Sequence, residues 1–164
     1  MSIFAKLEKI TTLLFDVDGV FTDSGILAKE NADLLRTLHT RDGYAVKQAI
    51  NAGYNVGIIT KGNSQGVHGR FKNLGVKHIH MNMADKVDIY QSLKTTLSII
   101  DEEVLYMGDD ISDLGVLKLA GVSACPYDAC HEVITEAEYI SSIDGGYGCV
   151  RQVIEKVMRL HGKW

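Results

Sequence analysis

Short apolar runs alternate with amphipathic runs along the chain, the pattern of an α/β fold built on a parallel sheet. Residues 11–15 (TTLLF) predict a buried strand that stops at Asp16. Between Gly19 and about Leu38, Gly25 and alternating apolar residues predict a hairpin excursion. Residues 42–53 (DGYAVKQAINAG) predict a helix, with Asp42 placed to cap it and Gly53 to end it. Residues 54–59 (YNVGII) predict a second strand, followed by Thr60. A helix over 64–74, closed by Gly75, and a short strand over 77–80 come next. Val87, Tyr90, Leu93 and Leu97 recur at helical spacing, so 85–98 is expected to be a helix. Residues 104–107 (VLYM) predict a strand running into Gly108-Asp109-Asp110. A helix over 114–120 closed by Gly121, a last short core strand over 122–124, and a final helix reaching about Leu160 after the loop Gly145-Gly146-Tyr147-Gly148 complete the pattern.

The length of 164 residues, with no repeat or linker, fits one domain over 1–164. A net charge of −4 gives no electrostatic footprint for nucleic acid. Cys125, Cys130 and Cys149 form an odd set without zinc-type spacing, which favours free thiols in a reducing compartment. The first twelve residues carry only a short apolar stretch, too little for a signal sequence or a membrane span, so a cytoplasmic location is the expectation.

Four polar clusters fall directly after predicted strands or at a helix start: Asp16-x-Asp18, Thr60, Lys86, and Asp109-Asp110 with Asp113. In an open parallel sheet, ligands bind outside the carboxyl ends of the strands, so these clusters should meet at one edge. Asp16 and Asp109 offer hard oxygen ligands suited to Mg²⁺, which also takes phosphate oxygens. Asp16 can attack phosphorus as a carboxylate nucleophile. Asp18 can protonate the leaving alkoxide and then activate water. Lys86, the Thr60 hydroxyl and loop N–H groups can steady the charge on the transferred phosphoryl group. Taken singly, an Asp after a strand is a turn former and a helical Lys is a solvated side chain; the ordered set of four points to chemistry.

The stretches DVDGVFTD, Thr60, Lys86 and GDDISD resemble the four motifs of the haloacid dehalogenase superfamily, over nearly the whole chain. The resemblance implies a Rossmannoid three-layer fold. It implies Asp16 as nucleophile, Asp18 as acid and base, and Thr60 and Lys86 on the phosphoryl group. Mg²⁺ would sit on the Asp16 carboxylate, the Asp18 backbone carbonyl and Asp109. Asp110 and Asp113 would act through water or hold Lys86. The acid at position 18 favours a phosphatase over dehalogenase or ATPase relatives. The spacings between motifs leave no room for a cap domain, so the site is expected to be open unless a neighbouring subunit covers it.

DVDGVFTDSGI, HTRDGYAVKQAINAGYNVGIIT, GDDISD and GGYG are similar to the 3-deoxy-D-manno-octulosonate 8-phosphate phosphatase family of lipopolysaccharide sugar synthesis. That similarity implies a homotetramer in which hairpins of neighbours cover the site. It also implies a cation for the substrate carboxylate, with Lys61, Arg70 and Arg41 as candidates and Lys61 also placed for the phosphate. The chain departs from the family where it reads Thr60-Lys61-Gly62 for Thr-Gly-Arg and places Tyr147 in the glycine loop. The sequence stops at Trp164, so a tail that reaches a neighbour's site is not expected. A nine-carbon counterpart, 2-keto-3-deoxynononic acid 9-phosphate, is the alternative substrate. A catalytically silent binding or scaffold protein is the alternative of another class. His78 and His80 share one side of a short strand, where an edge or subunit contact is favoured over a metal pair.

Overall fold

The computed structural model describes residues 2–164. Its centre is strand β1 (Thr12–Phe15), buried along its length. After helix α1 (Ile3–Leu7) and β1, the chain makes a small antiparallel hairpin of β2 (Leu27–Ala28) and β3 (Leu34–Leu35), with Leu27 opposite Leu35. Helix α2 (Thr40–Asn51), β4 (Asn55–Ile59), α3 (Gln65–Leu74), β5 (His78–His80) and α4 (Lys86–Leu97) come next. Then come β6 (Val104–Met107), a 3₁₀ turn, α5 (Leu114–Leu117), β7 (Val122–Cys125), α6 (His131–Glu136), β8 (Tyr139–Ile140) and α7 (Cys149–Leu160).

Six strands form one parallel sheet in the order β5-β4-β1-β6-β7-β8. From β1 the chain builds outward through β4 and β5, then crosses to the other side of β1 to lay down β6. That reversal is the switch point at which open α/β sheets bind ligands. Side-chain alternation along the strands divides the core in two. Leu13 and Phe15 of β1 join one buried cluster with Ala45 and Val46 of α2 and the apolar stripe of α7. Leu14 points the other way, into a cluster with Tyr90 and Leu93 of α4 and Val116 and Leu117 of α5. The result is the expected three-layer α/β sandwich. On α7 the buried residues Val150, Val153, Ile154, Val157 and Met158 follow helical spacing, which is why a helix forms there and lies flat on the sheet.

Three local expectations are corrected. The helix expected over 114–120 is α-helical only to Leu117. The Gly121 N–H turns away to the Asp101 carbonyl at 2.7 Å, pulling the chain toward the 3₁₀ turn before β6. Strand β7 is not the last: the two-residue β8 pairs with it, too short to show a period in sequence. Asp42 does not cap its own helix. His39 occupies that N-cap, and the buried Asp42 carboxylate accepts the Arg151 N–H at 2.7 Å, in the first turn of α7. It thereby caps a helix more than a hundred residues further along, and α2 and α7 are joined at their first turns.

Burial raises the Asp42 pKa to about 6, against the pull of the Arg151 N–H and of the His39 and Arg151 charges. A raised native pKa means that the folded chain holds this proton longer than the unfolded chain, whose Asp titrates near ~3.9. The stabilising contribution is therefore full below that value and is lost as pH rises through about 6. The ionised form at neutral pH costs on the order of 3 kcal/mol. Asp42→Asn keeps an acceptor for Arg151 without the charge. Urea denaturation from pH 4 to 7 should show the wild type losing stability relative to Asp42→Asn as pH rises; a constant difference would refute the assignment.

Candidate active site

Asp16 follows the last residue of β1, where its N–H donates to the Met107 carbonyl at 3.0 Å and holds it between β1 and β6. Its Oδ1 accepts the Val17 N–H at 2.6 Å. Its Oδ2 lies 2.7 Å from Lys86 Nζ. Lys86 is the first residue of α4, with Asp85 capping the helix through a 2.8 Å bond to the Val87 N–H. The lysine is only 3% exposed. Its ammonium also donates to Asp113 Oδ1 at 2.7 Å, so one buried cation bridges two carboxylates from different loops.

Asp113 is fully committed. Oδ1 accepts from Lys86 and from the Tyr106 hydroxyl, and Oδ2 accepts the N–H groups of Asp109 and Asp110 at 3.2 and 3.3 Å. A single carboxylate thus folds the Gly108–Asp113 loop around itself. A Cβ at Gly108 would fall 2.4 Å from its Cγ, so glycine there makes the tight loop possible.

Asp16, Asp18, Ser24, Thr60, Lys61, Gly62, Lys86, Asp109, Asp110 and Ser112 line a recess of about 200 Å³. Four segments distant in sequence meet there, at the carboxyl ends of β1, β4 and β6 and the start of α4. Thr60 is buried, and its Oγ1 accepts the Gly62 N–H at 3.2 Å, which leaves its own hydroxyl proton free to donate. Lys61 is on the wall and exposed. Arg70 and Arg41 do not line the recess. The Arg70 guanidinium packs against α2, where a Cβ on Gly43 would lie 2.4 Å from it. Arg41 lines a separate cavity of about 770 Å³ along α7. His78 and His80 sit half-buried on the edge strand β5, and burial together with His78 lowers the His80 pKa.

The charges at the recess are out of balance. Burial, then the Asp113 charge, raises the Asp16 pKa to about 6 despite Lys86 and the Val17 N–H. Burial, then the charges of Asp16, Asp113 and Asp110, raises the Asp109 pKa to about 7. Burial works against the Lys86 charge, yet Asp16 and Asp113 more than offset it and hold its pKa above the ordinary value. One lysine is thus shared among crowded carboxylates, and a divalent cation is the natural remedy. Carboxylate oxygens of Asp16, Asp109 and Asp113 come within 4.8 Å of one another. Asp113 is already saturated by four donors, so Asp16 and Asp109 are the pair whose oxygens fit Mg²⁺. A Cβ on Gly19, whose φ is +83°, would strike Asp109 Oδ2 at 1.8 Å; only glycine lets this backbone pass beside the carboxylate.

Two features were not read from the sequence. Arg36, just beyond β3, forms a two-pronged ion pair with Asp18: Nε to Oδ1 at 2.6 Å and Nη2 to Oδ2 at 3.0 Å. An arginine following an apolar pair on the return arm of a hairpin was the available signal. The GGYG loop proves to be a buttress of the site. Gly145 packs so tightly on Gly19 that a Cβ would lie 1.9 Å from its carbonyl oxygen, and the Gly146 N–H donates to the Val20 carbonyl at 3.0 Å.

Lys86→Met would leave Asp16 and Asp113 buried without their cation. Removing one partner of a buried ion pair costs on the order of 3 kcal/mol or more. Urea denaturation should register that loss; a change within about 0.5 kcal/mol, the range of ordinary surface substitutions, would show that the ammonium does not hold the loops together.

No protein-family model matches the chain. It is 35% identical over 161 residues to the 3-deoxy-D-manno-octulosonate 8-phosphate phosphatase of Escherichia coli K12, covering 98% of this chain and 86% of that one. The crystal structure of the Yersinia pestis enzyme of the same name superposes with a TM-score of 0.96 at 32% identity, over 98% of this chain and 87% of that chain. The Moraxella catarrhalis enzyme, solved with magnesium, phosphate and 3-deoxy-D-manno-octulosonate, superposes with a TM-score of 0.93 at 29% identity, over 96% and 91%. A Legionella pneumophila hydrolase of the HAD superfamily, subfamily III A, gives 0.96 at 32%, over 98% and 88%. With identity of this level along nearly the full length of both chains, the protein belongs to the 3-deoxy-D-manno-octulosonate 8-phosphate phosphatase family of the haloacid dehalogenase superfamily.

Proposed function

We propose that the chain is a Mg²⁺-dependent phosphatase of 3-deoxy-D-manno-octulosonate 8-phosphate, acting in lipopolysaccharide sugar synthesis through a phosphorylated Asp16. The observation that carries this reading is the Asp16 carboxylate at the sheet's switch point, fixed by the Val17 N–H and Lys86 and set beside Asp109.

Asp16 attacks phosphorus, and the bond to the sugar oxygen breaks as the aspartyl-phosphate forms. Asp18 gives its proton to the departing oxygen. In the second half it takes a proton from water, which attacks phosphorus and frees Asp16. Lys86 and the Thr60 hydroxyl donate to phosphoryl oxygens, with Lys61 at the rim for the phosphate or the substrate carboxylate. Asp113, itself hydrogen-bonded by the Tyr106 hydroxyl, holds the lysine from behind. The Asp16 and Asp109 carboxylates and the Asp18 backbone carbonyl would hold Mg²⁺, which would supply the charge neutralisation that an anionic substrate needs; Asp110 stands at the wall for a ligand through water.

The reading covers 1–164 as one phosphatase domain. A complete and convergent set of groups argues against a silent scaffold. The recess of about 200 Å³ is below the ~300–1,000 Å³ of sites that enclose a whole small molecule. It suits the phosphoryl end, so the sugar needs another wall. The exposed Ile26, Leu27, Leu34 and Leu35 of the hairpin supply an apolar surface for neighbours, and a homotetramer with hairpins shared between sites is part of the proposal. So is a cytoplasmic location, which the three free cysteines favour. No helix among the described residues is long and apolar enough to cross a membrane.

Phosphate release should be measured from the eight-carbon and nine-carbon keto-sugar acid phosphates with Mg²⁺. Turnover of the first, lost with chelator and with Asp16→Asn, is expected. Preference for the nine-carbon ester would move the substrate, and Asp16-independent turnover would sink the mechanism. Light scattering should give a four-chain mass that Leu27→Glu with Leu35→Glu lowers; a monomeric wild type would remove the shared-hairpin wall.

A further inference from the structure

Of the site's carboxylates, Asp18 is held in an unusual way. Asp16 is fixed by the backbone of its own loop and by Lys86, and Asp113 by four donors. Among the described residues, the Asp18 carboxylate has one side-chain hydrogen-bonding partner, Arg36. That arginine comes from the hairpin, whose own residues are largely exposed. Its side chain is nevertheless only 6% exposed, while the Asp18 side chain is 32% exposed.

All three guanidinium nitrogens are engaged. Nε and Nη2 grip the two oxygens of Asp18, and Nη1 donates to the Leu34 carbonyl at 3.1 Å. The third bond ties the fork to the backbone of β3, so the guanidinium plane is set by the hairpin. Gly62 makes room for the pair: a Cβ there would come within 3.3 Å of Asp18 Oδ2, 3.5 Å of Arg36 Nη2 and 3.5 Å of Thr60 Oγ1. The fork therefore stands against the loop that carries Thr60.

A fork of this kind fixes the plane of a carboxylate, which a point charge cannot do. Each Asp18 oxygen keeps a second lone pair for exchange with the leaving oxygen or with water. We propose that Arg36 is the positioning residue of the acid–base carboxylate, and that through it the hairpin sets the orientation of Asp18 in the recess. The inference rests on the reading of Asp18 as acid and base. It gives the hairpin a task inside its own subunit, separate from any contact with a neighbour.

Arg36→Ala frees the carboxylate to rotate, and misorientation of a reacting group costs up to about 100-fold in rate. The expected result is a kcat lowered by about 10-fold to 100-fold with KM nearly unchanged. Added guanidinium ion at millimolar concentration should restore part of the loss, and ethylammonium should not. Arg36→Lys, which keeps charge and bulk but not the fork, should stay impaired; it carries the test should Arg36→Ala fail to fold by circular dichroism. In an Asp18→Asn background, Arg36→Ala should cause no further loss. A wild-type kcat in Arg36→Ala, a loss confined to KM, full activity in Arg36→Lys, or an added loss on top of Asp18→Asn would each overturn the inference. Asp18→Asn separates the two claims: full activity there refutes the acid–base reading itself, whereas a crippled Asp18→Asn beside an unimpaired Arg36→Ala refutes only the role of Arg36.

Discussion

One buried ammonium organises the site. Lys86 sits at the start of α4, where the helix dipole disfavours a positive charge, and it is almost wholly withdrawn from water. Two carboxylates at 2.7 Å make that placement tolerable. In return the lysine joins the end of β1, the start of α4 and the loop after β6. The Asp113 carboxylate extends the same network to Tyr106 and to the backbone of Asp109 and Asp110. Asp16, Lys86, Asp113 and the backbone of Asp109 and Asp110 thus share one set of hydrogen bonds and ion pairs.

The sheet puts these groups in reach, and close backbone packing holds them there. Glycines 19, 108 and 145 stand where any side chain would collide with Asp109, with Asp113 or with the Gly19 carbonyl. The loop before α7 presses on the turn that carries Asp16 and Asp18, and Asp42 fastens α7 to α2. Precision at the recess therefore derives from the far side of the fold as well as from the motif residues.

The strand-end residues could be read from sequence because a local signal marks each of them. An apolar run that stops at an acidic or hydroxyl residue identifies both the strand and the polar group at its carboxyl end. This placed Asp16, Thr60 and Asp109 together with Lys86 at its helix start. Groups that reach the site by a return path carry no such signal. Arg36 arrives because Leu27 pairs with Leu35 and folds the hairpin back. Asp42 reads locally as a cap for its own helix because local pattern cannot show α7 starting against it. Arg70 and Arg41 had the right charge for a substrate carboxylate, but within this chain their helices aim them elsewhere. Two-residue β8 is shorter than any period can reveal.

The most direct test of the central claim is to catch the covalent intermediate. The protein would be mixed with substrate and Mg²⁺, quenched in acid within the first turnover, reduced with borohydride and digested for peptide mass spectrometry. Modification is expected at Asp16 alone, absent without Mg²⁺ and in Asp16→Asn. Modification at another residue, or steady turnover with no trapped Asp16, would contradict it.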